Sequence, residues 1–337
     1  MSDAITTMLE VSGPEQPRSL KAKSDLSDLP FRVLTRTAAT TVLAIMSLVG
    51  VFLLIQGGQA LGVAGPKFLT TQNWDPNSGS FGIAAVLTGT IFIALTAITV
   101  AVPLATGTAL YISEYAPLQL KPLLVSLVDL MAAVPSVVYG LWGLFLLQPL
   151  VLPVSQWIAT WFGWIPIYHV QGFDPNDPLA SPTLFTASTF IAGLVVAMMV
   201  APIISSIMRE VFTQAPLGER EGALALGATR WGMIRSVVIP FGRGGMIGGT
   251  MLGLGRALGE TIAVVLIISP IFKIHPNILE TGANSISALI ALRYSEASPF
   301  EISALMAAGL ALFVMTLVVN FGASLIISRS RSGAGSD

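Results

Sequence analysis

Two side chains in an otherwise apolar stretch carry the strongest chemical signal in this chain. Arg256 and Glu260 lie in Gly255-Arg-Ala-Leu-Gly-Glu-Thr261, inside a long hydrophobic run. An arginine at mid-membrane costs about 2.5–3.5 kcal/mol on insertion scales, so something must compensate it. The i, i+4 spacing predicts that the two side chains meet on one helical face, with Glu260 the first partner of Arg256. A guanidinium in such a place can also bind an oxyanion through two parallel hydrogen bonds. Two readings stand side by side: an ion-path pair, and a structural ion pair that locks two helices together.

The surrounding residues say what must position them. At roughly 100° per residue, Gly245, Gly249, Gly253, Arg256 and Glu260 fall within an arc of about 80°. Gly244, Gly248, Gly255 and Gly259 fill the adjoining arc. Glycine faces let helices approach closely in lipid. The expectation is a packing face at Gly245, Gly249 and Gly253, with the charges turned toward protein or a water-filled path. Three weaker candidates sit in other runs. Asp129 and Asn320 are expected to hydrogen-bond between helices. Pro135, in Ala132-Ala-Val-Pro-Ser-Val-Val-Tyr-Gly140, is expected to kink or unwind its segment.

Composition fixes the solvent. Of the 337 residues 53% are hydrophobic and only 10% charged, with a mean hydropathy of +0.78. Soluble domains carry about 25% charged residues, so this surface must be mostly lipid-facing. A net charge of -1 argues against a nucleic-acid partner. The absence of cysteine excludes disulfides, thiolate metal sites and a cysteine nucleophile. His169 and His275, the only histidines, are too far apart in sequence to suggest a metal site.

Six runs are long and apolar enough to span a bilayer, at about 20 residues each: roughly 37–61, 83–111, 123–149, 184–207, 237–270 and 302–327. The expected fold class is all-α, a polytopic membrane protein with six transmembrane helices. Residues 1–36 read as a polar tail, 37–327 as the membrane domain with a core over about 82–327, and 328–337 as a second tail. The first run, from near Thr37, reads as a retained anchor and not as a signal segment.

Lysine and arginine placement sets the expected orientation. Arg18, Lys21, Lys23, Arg32 and Arg36 precede the first run, and none occurs between Lys121 and Arg209. Arg209, Arg220, Arg230 and Arg235 crowd the next connection, and Arg329 and Arg331 follow the last run. Both termini, the 112–122 turn and the 209–236 loop are therefore expected in the cytoplasm. The 150–183 connection is expected outside. Its Trp157, Trp161 and Trp164 have i, i+4, i+7 spacing and would share one helical face, either a surface for an external partner or a short interfacial helix resting on the membrane.

The 209–236 loop has its own local logic. Ala223, Leu224, Ala225 and Leu226 favour helix. Gly227 is expected to end it with a positive φ. Thr229 is placed to cap a second helical stretch through Trp231 and Ile234. A bland hairpin and a docking site fit these residues equally well.

Spacing then adds a resemblance. Glu221-Gly-Ala-Leu-Ala-Leu-Gly227, nine residues, and Val237-Val-Ile-Pro240 resemble the EAA loop of binding-protein-dependent ABC importer permeases. Glu221, Ala223, Gly227 and Pro240 match that pattern. Gly222 departs from its usual alanine, and Val237 and Ile239 are conservative changes. Leu254-Gly-Arg-Ala-Leu-Gly-Glu-Thr261 and Ala133-Val-Pro-Ser-Val-Val-Tyr-Gly-Leu-Trp-Gly143 resemble, more narrowly, the C-type (PstC-type) permeases of phosphate importers, over about residues 30–328.

The resemblance implies a type I ABC importer permease fold in the plasma (inner) membrane. It implies phosphate as cargo, with Arg256 and Glu260 on its path and the 221–240 loop coupling to an ATPase. The implied partners are a homologous A-type permease, two cytoplasmic ATPase subunits that bind ATP-Mg, and an external phosphate-binding protein. No cofactor is expected in this chain, and no ATP hydrolysis, since no G-x-x-x-x-G-K-[ST] occurs. The alternatives weighed are a permease for sulfate or molybdate, an ion-coupled secondary transporter or channel, and a membrane enzyme or scaffold.

Overall fold

A computed structural model describes residues 28–175, 177 and 181–330. Arg18, Lys21, Lys23 and Arg331 lie outside the described residues. The chain divides into two compact units, residues 1–49 and 50–337. Helix α1 (Asp28–Ala64) contains the boundary. Its helical turns begin well before Thr37, so the apolar run understates its length.

Over 29–49, every α1 residue is exposed. Its threonines keep their hydroxyls satisfied locally. Thr37 Oγ1 donates to Val33 O at 2.6 Å and Thr41 Oγ1 to Thr37 O at 2.8 Å. A helix that returns its polar groups to its own backbone presents an unbroken apolar surface, which suits lipid.

In the larger unit, α2 (Ala84–Leu110) and α6 (Thr189–Thr213) form the centre. α6 has 67% of its most apolar stretch buried, against 39% or less for any other span. The two meet along a stripe of small residues: Ala94, Ala97, Ala101, Ala105 and Ala109 are all buried. Small side chains allow the close approach that makes packing the adhesive where lipid supplies no hydrophobic drive.

Between them run α3 (Lys121–Ala133), α4 (Ser136–Trp142) and α5 (Gln148–Phe162). Pro135 does more than kink this region. Val134 takes an extended conformation (ψ 131°) and helix α4 starts afresh after Pro135. A local cause contributes: the residue before a proline is biased away from helical backbone. Tyr139 Oη donates to the freed Met131 carbonyl at 2.8 Å. The span long enough to cross is then 136–162, displaced from the expected 123–149.

That displacement corrects the tryptophan reading. Trp157 and Trp161 belong to α5 at the end of the span, whereas Trp164 follows its last turn. No separate interfacial helix carries all three among the described residues, though all three side chains are exposed.

The cytoplasm-facing expectation for the 209–236 loop corresponds to α7 (Leu217–Ala225) and α8 (Arg230–Met233). A wider π turn (Ile234–Val238) joins α8 to α9 (Ile239–Leu258). Then come α10 (Ile262–Ile267), α11 (Ile286–Arg293) and α12 (Pro299–Ser330).

The opposite end of α6 meets a capping layer of loops. Phe190 N donates to Ile278 O at 2.8 Å and Thr281 N to Leu184 O at 2.7 Å. A two-stranded hairpin, β1 (Trp74–Asp75) and β2 (Ser80–Phe81), leans on α12 through Trp74 Nε1, which donates to Glu301 Oε1 at 3.2 Å. Among the described residues, six helices are long and apolar enough to cross a membrane. The chain is a polytopic, all-α membrane protein.

Candidate functional site

The expected fifth span is not one helix. α9 ends at Leu258, and Gly259, Glu260 and Thr261 leave the helical path before α10 begins. Glycines at 255 and 259 lower helix propensity there, and a side-chain acceptor competes for the next helix's amides. Glu260 Oε1 accepts from Ala263 N at 3.2 Å. The Glu260 carbonyl accepts from Ser287 Oγ at 2.6 Å.

This overturns the expected i, i+4 meeting of Arg256 and Glu260, which required a continuous helix. Glu260 is only 9% exposed and caps α10 from the break. Arg256 is exposed near the end of α9 and makes no hydrogen bond or ion pair with another described residue. Among the described residues the ion pairs are Arg209–Asp129 and Arg220–Glu114.

A buried polar cluster surrounds the break. Thr90 Oγ1 accepts from Ile286 N at 3.0 Å, and Ser285 Oγ accepts from Ala288 N at 3.1 Å. Asn284 Oδ1 accepts from Ser285 N at 2.9 Å, while its buried Nδ2 has no partner. Asn284 and Ser285 escape a reading by helical periodicity because they sit in a loop and a cap.

Below the break, α9 lies against α6 by its glycines. A Cβ on Gly245 would stand 2.3 Å from Val211 Cγ2, and one on Gly253 would stand 2.5 Å from Ile204 Cδ1. Gly249 faces Ile207 and the Ile204 carbonyl. A side chain at Gly245 or Gly253 would make Val211 or Ile204 shift, so these two glycines set how close α9 comes to the core. Gly255 faces α12 instead, where an added Cβ would stand 3.5 Å from Asn320 Oδ1. Asn320 is exposed and makes no described hydrogen bond. Asp129 does bridge helices: Ser206 Oγ donates to its Oδ1 at 2.9 Å, with Arg209 3.9 Å away.

The loop at the other end of α6 follows local rules closely. α7 ends in a Schellman motif: Ala228 N donates to Ala223 O at 3.1 Å and Gly227 N to Leu224 O at 2.9 Å. Gly227 takes φ 86° to close it. Thr229 Oγ1 accepts from Gly232 N at 3.1 Å and caps α8. Glu221 and Gly222 are exposed on α7 and Ala223 is half-buried. Leu217, Leu224, Leu226 and Trp231 also stand exposed around it. Pro240 occupies the first turn of α9, where its missing N–H costs nothing.

One ion pair in this loop gave no signal in the sequence. Arg220 NH2 lies 3.2 Å from Glu114 Oε1, in the π turn (Tyr111–Tyr115) that ends α2. Arg220 NH1 donates to Glu114 Oε2 at 3.4 Å. The same guanidinium donates to the Phe212 carbonyl near the end of α6.

The chain as a whole is similar to known proteins. Residues 101–332 match the model of the family described as the binding-protein-dependent transport system inner membrane component. The chain is 38% identical over 308 residues to the phosphate transport system permease protein PstC 2 of Mycobacterium tuberculosis, covering 90% of this chain and 92% of that one. It is 36% identical over 321 residues to the phosphate transport system permease protein PstC of Pasteurella multocida, covering 95% and 98%. Its fold resembles a chain of a bacterial alginate ABC transporter crystallised with a substrate-bound periplasmic protein. That match has a TM-score of 0.58 at 16% identity and covers 91% of this chain and 99% of the other.

Proposed function

This chain belongs to the family of inner membrane components of binding-protein-dependent transport systems, and from that membership we propose that it is the permease subunit of an ATP-driven phosphate importer. The observation that carries the reading is likeness over nearly the full length of both chains to phosphate transport system permeases. It is a transport subunit, and the energy enters through partners. The proposed partners are a homologous permease, two cytoplasmic ATPase subunits that bind ATP-Mg, and an external phosphate-binding protein. The proposed setting is the plasma (inner) membrane with both termini in the cytoplasm.

Two regions divide the work. The exposed face of α7 around Glu221, Ala223 and Gly227 docks an ATPase subunit, and Pro240 starts the helix that receives the motion. The exposed apolar residues Leu217, Leu224 and Leu226 supply the surface such a contact would bury. Arg256 offers phosphate a charge-assisted, two-pronged site at a depth where bare phosphate would find little solvation. Glu260 holds the break that places Arg256 at the end of α9. Closure of the ATPase pair tilts the spans and opens the path to each side in turn.

The test is uptake of labelled phosphate by proteoliposomes holding the assembled importer, with sulfate as competitor. Phosphate uptake that requires ATP and resists excess sulfate is expected. ATP-independent uptake, or full competition by sulfate, would overturn the assignment.

A further inference from the structure

We infer that Arg220 and Glu114 form a clamp that passes motion of α7 into the core helices α2 and α6, separately from the covalent route into α9. The inference rests on the proposed docking role of α7 and deepens it.

The geometry has one centre and three arms. Arg220 leans inward from α7, with its side chain 17% exposed, to a Glu114 side chain that is 5% exposed. Both guanidinium nitrogens NH1 and NH2 face the carboxylate, at 3.4 and 3.2 Å. Only the contact to Oε2 is a hydrogen bond, and Oε1 and the buried Arg220 Nε have no hydrogen-bond partner among the described residues, so the joint is an enclosed charge pair whose breaking strands a buried charge. NH2 also donates to Phe212 O at the end of α6. A cation there suits the dipole of that helix end, and it shares the Phe212 carbonyl with Ala215 N, which donates to it at 3.3 Å. The π turn that carries Glu114 is itself held from the other side, since Lys121 Nζ donates to Ser113 O at 2.7 Å at the start of α3.

The clamp matters because α7 has little else to hold it. None of its residues is buried, and only Arg220 and Ala223 are half-buried. Its two ends are Pro216 and the Gly227 turn. Chain connectivity alone would push on α9 through α8 and the π turn, leaving α2 and α6 to follow by packing. The ion pair ties α7 directly to the α2–α6 centre, so that the bundle and α9 move together. Arg220 turns its charge inward, away from the exposed Glu221 face. Removing it should therefore spare docking and impair transmission.

The experiment uses the whole importer in proteoliposomes, with Arg220→Gln, Glu114→Gln and the double variant. Three quantities are read: ATPase subunit retained on purification, ATP hydrolysed, and phosphate imported per ATP. Each single variant is expected to retain the ATPase and hydrolyse ATP while import per ATP falls at least tenfold. The double variant should be no worse than the poorer single, because one clamp can be lost only once. Unchanged import per ATP in either single variant would overturn the inference. So would two losses that multiply in the double variant. Loss of the ATPase from both single variants would also overturn it, since the pair would then only maintain the fold. A wild-type complex that carries no ATPase would sink the docking assignment itself, and is seen before any variant is made.

Discussion

Arg220 and Arg256 reverse what their surroundings lead one to expect. Arg220 sits in a loop where water could serve it, yet it is mostly enclosed, paired with a carboxylate and bonded to a helix end. Arg256 sits near the end of a span, where a charge is costly, yet it is exposed and meets no described acceptor. The difference separates two uses of one side chain. An arginine already paired with a carboxylate inside the chain does mechanical work there. An arginine left open at membrane depth must meet its compensating partner from outside the chain: a second permease, water or the transported anion.

The contrast is tested most severely at Arg256. Arg256→Gln keeps most of the volume and removes the charge. Uptake of labelled phosphate should fall at least a hundredfold. The purified complex should keep its ATPase subunits and its melting temperature, because no described contact is lost. Loss of assembly would show that Arg256 is structural like Arg220, and the contrast would collapse.

A second test falls on the turn that ends α7. Gly227 holds φ 86° with open space around its Cβ position. A non-glycine residue in left-handed backbone costs roughly 1–2 kcal/mol, and a carboxylate at a helix C-terminus opposes the dipole. Gly227→Asp should therefore loosen the end of α7 and reduce copurified ATPase about tenfold, with uptake falling in proportion. Normal ATPase recovery and uptake would defeat the docking role of this turn.

How far the sequence reveals these regions depends on the range of the forces. The cap at Thr229 and the turn at Gly227 were legible because each is fixed by residues within a few positions. The break at Pro135 was legible as a disturbance, but the start of the crossing span at Ser136 was not, since apolar composition runs straight through. Glu260 was misplaced for a related reason: a helical wheel presumes a continuous helix, and the acceptor that ends one helix and caps the next looks on the wheel like a face residue. The Arg220–Glu114 pair spans 106 positions, and no local pattern joins them. Nor does local spacing reveal that Asn284, Ser285 and Ser287 gather beside Glu260.

Smaller effects sharpen the division between packing and chemistry. Gly253 lies one helical turn from Arg256, but a Cβ there would stand 2.5 and 2.6 Å from Ile204 Cδ1 and Cγ1. Gly253→Leu overpacks α9 against α6, which typically costs about 1–3 kcal/mol. The melting temperature in detergent should drop by several degrees, and uptake per surviving complex should drop with it as Arg256 moves outward. An unchanged melting temperature would mean that α9 does not rest on α6 as its glycines suggest.

The mildest change probes α7 without touching either arginine. Gly222 is exposed in mid-helix, and nothing lies within 4 Å of where its Cβ would be. Glycine there is roughly 0.5–1 kcal/mol less favourable than alanine because of the backbone freedom it loses on folding. The importer pattern that this loop resembles carries alanine at the same place, so a methyl group suits the docked surface as well. Gly222→Ala should stiffen α7 between its proline start and its glycine turn, slowing amide hydrogen exchange at Leu226, whose N–H donates to the Gly222 carbonyl. Uptake should stay within twofold of wild type. If import per ATP rises together with slower exchange, stiffness of α7 limits transmission, and the work belongs to the Arg220 end of the molecule. If exchange slows and import does not move, the helix is already rigid enough, and the limiting step lies at the Arg256 end.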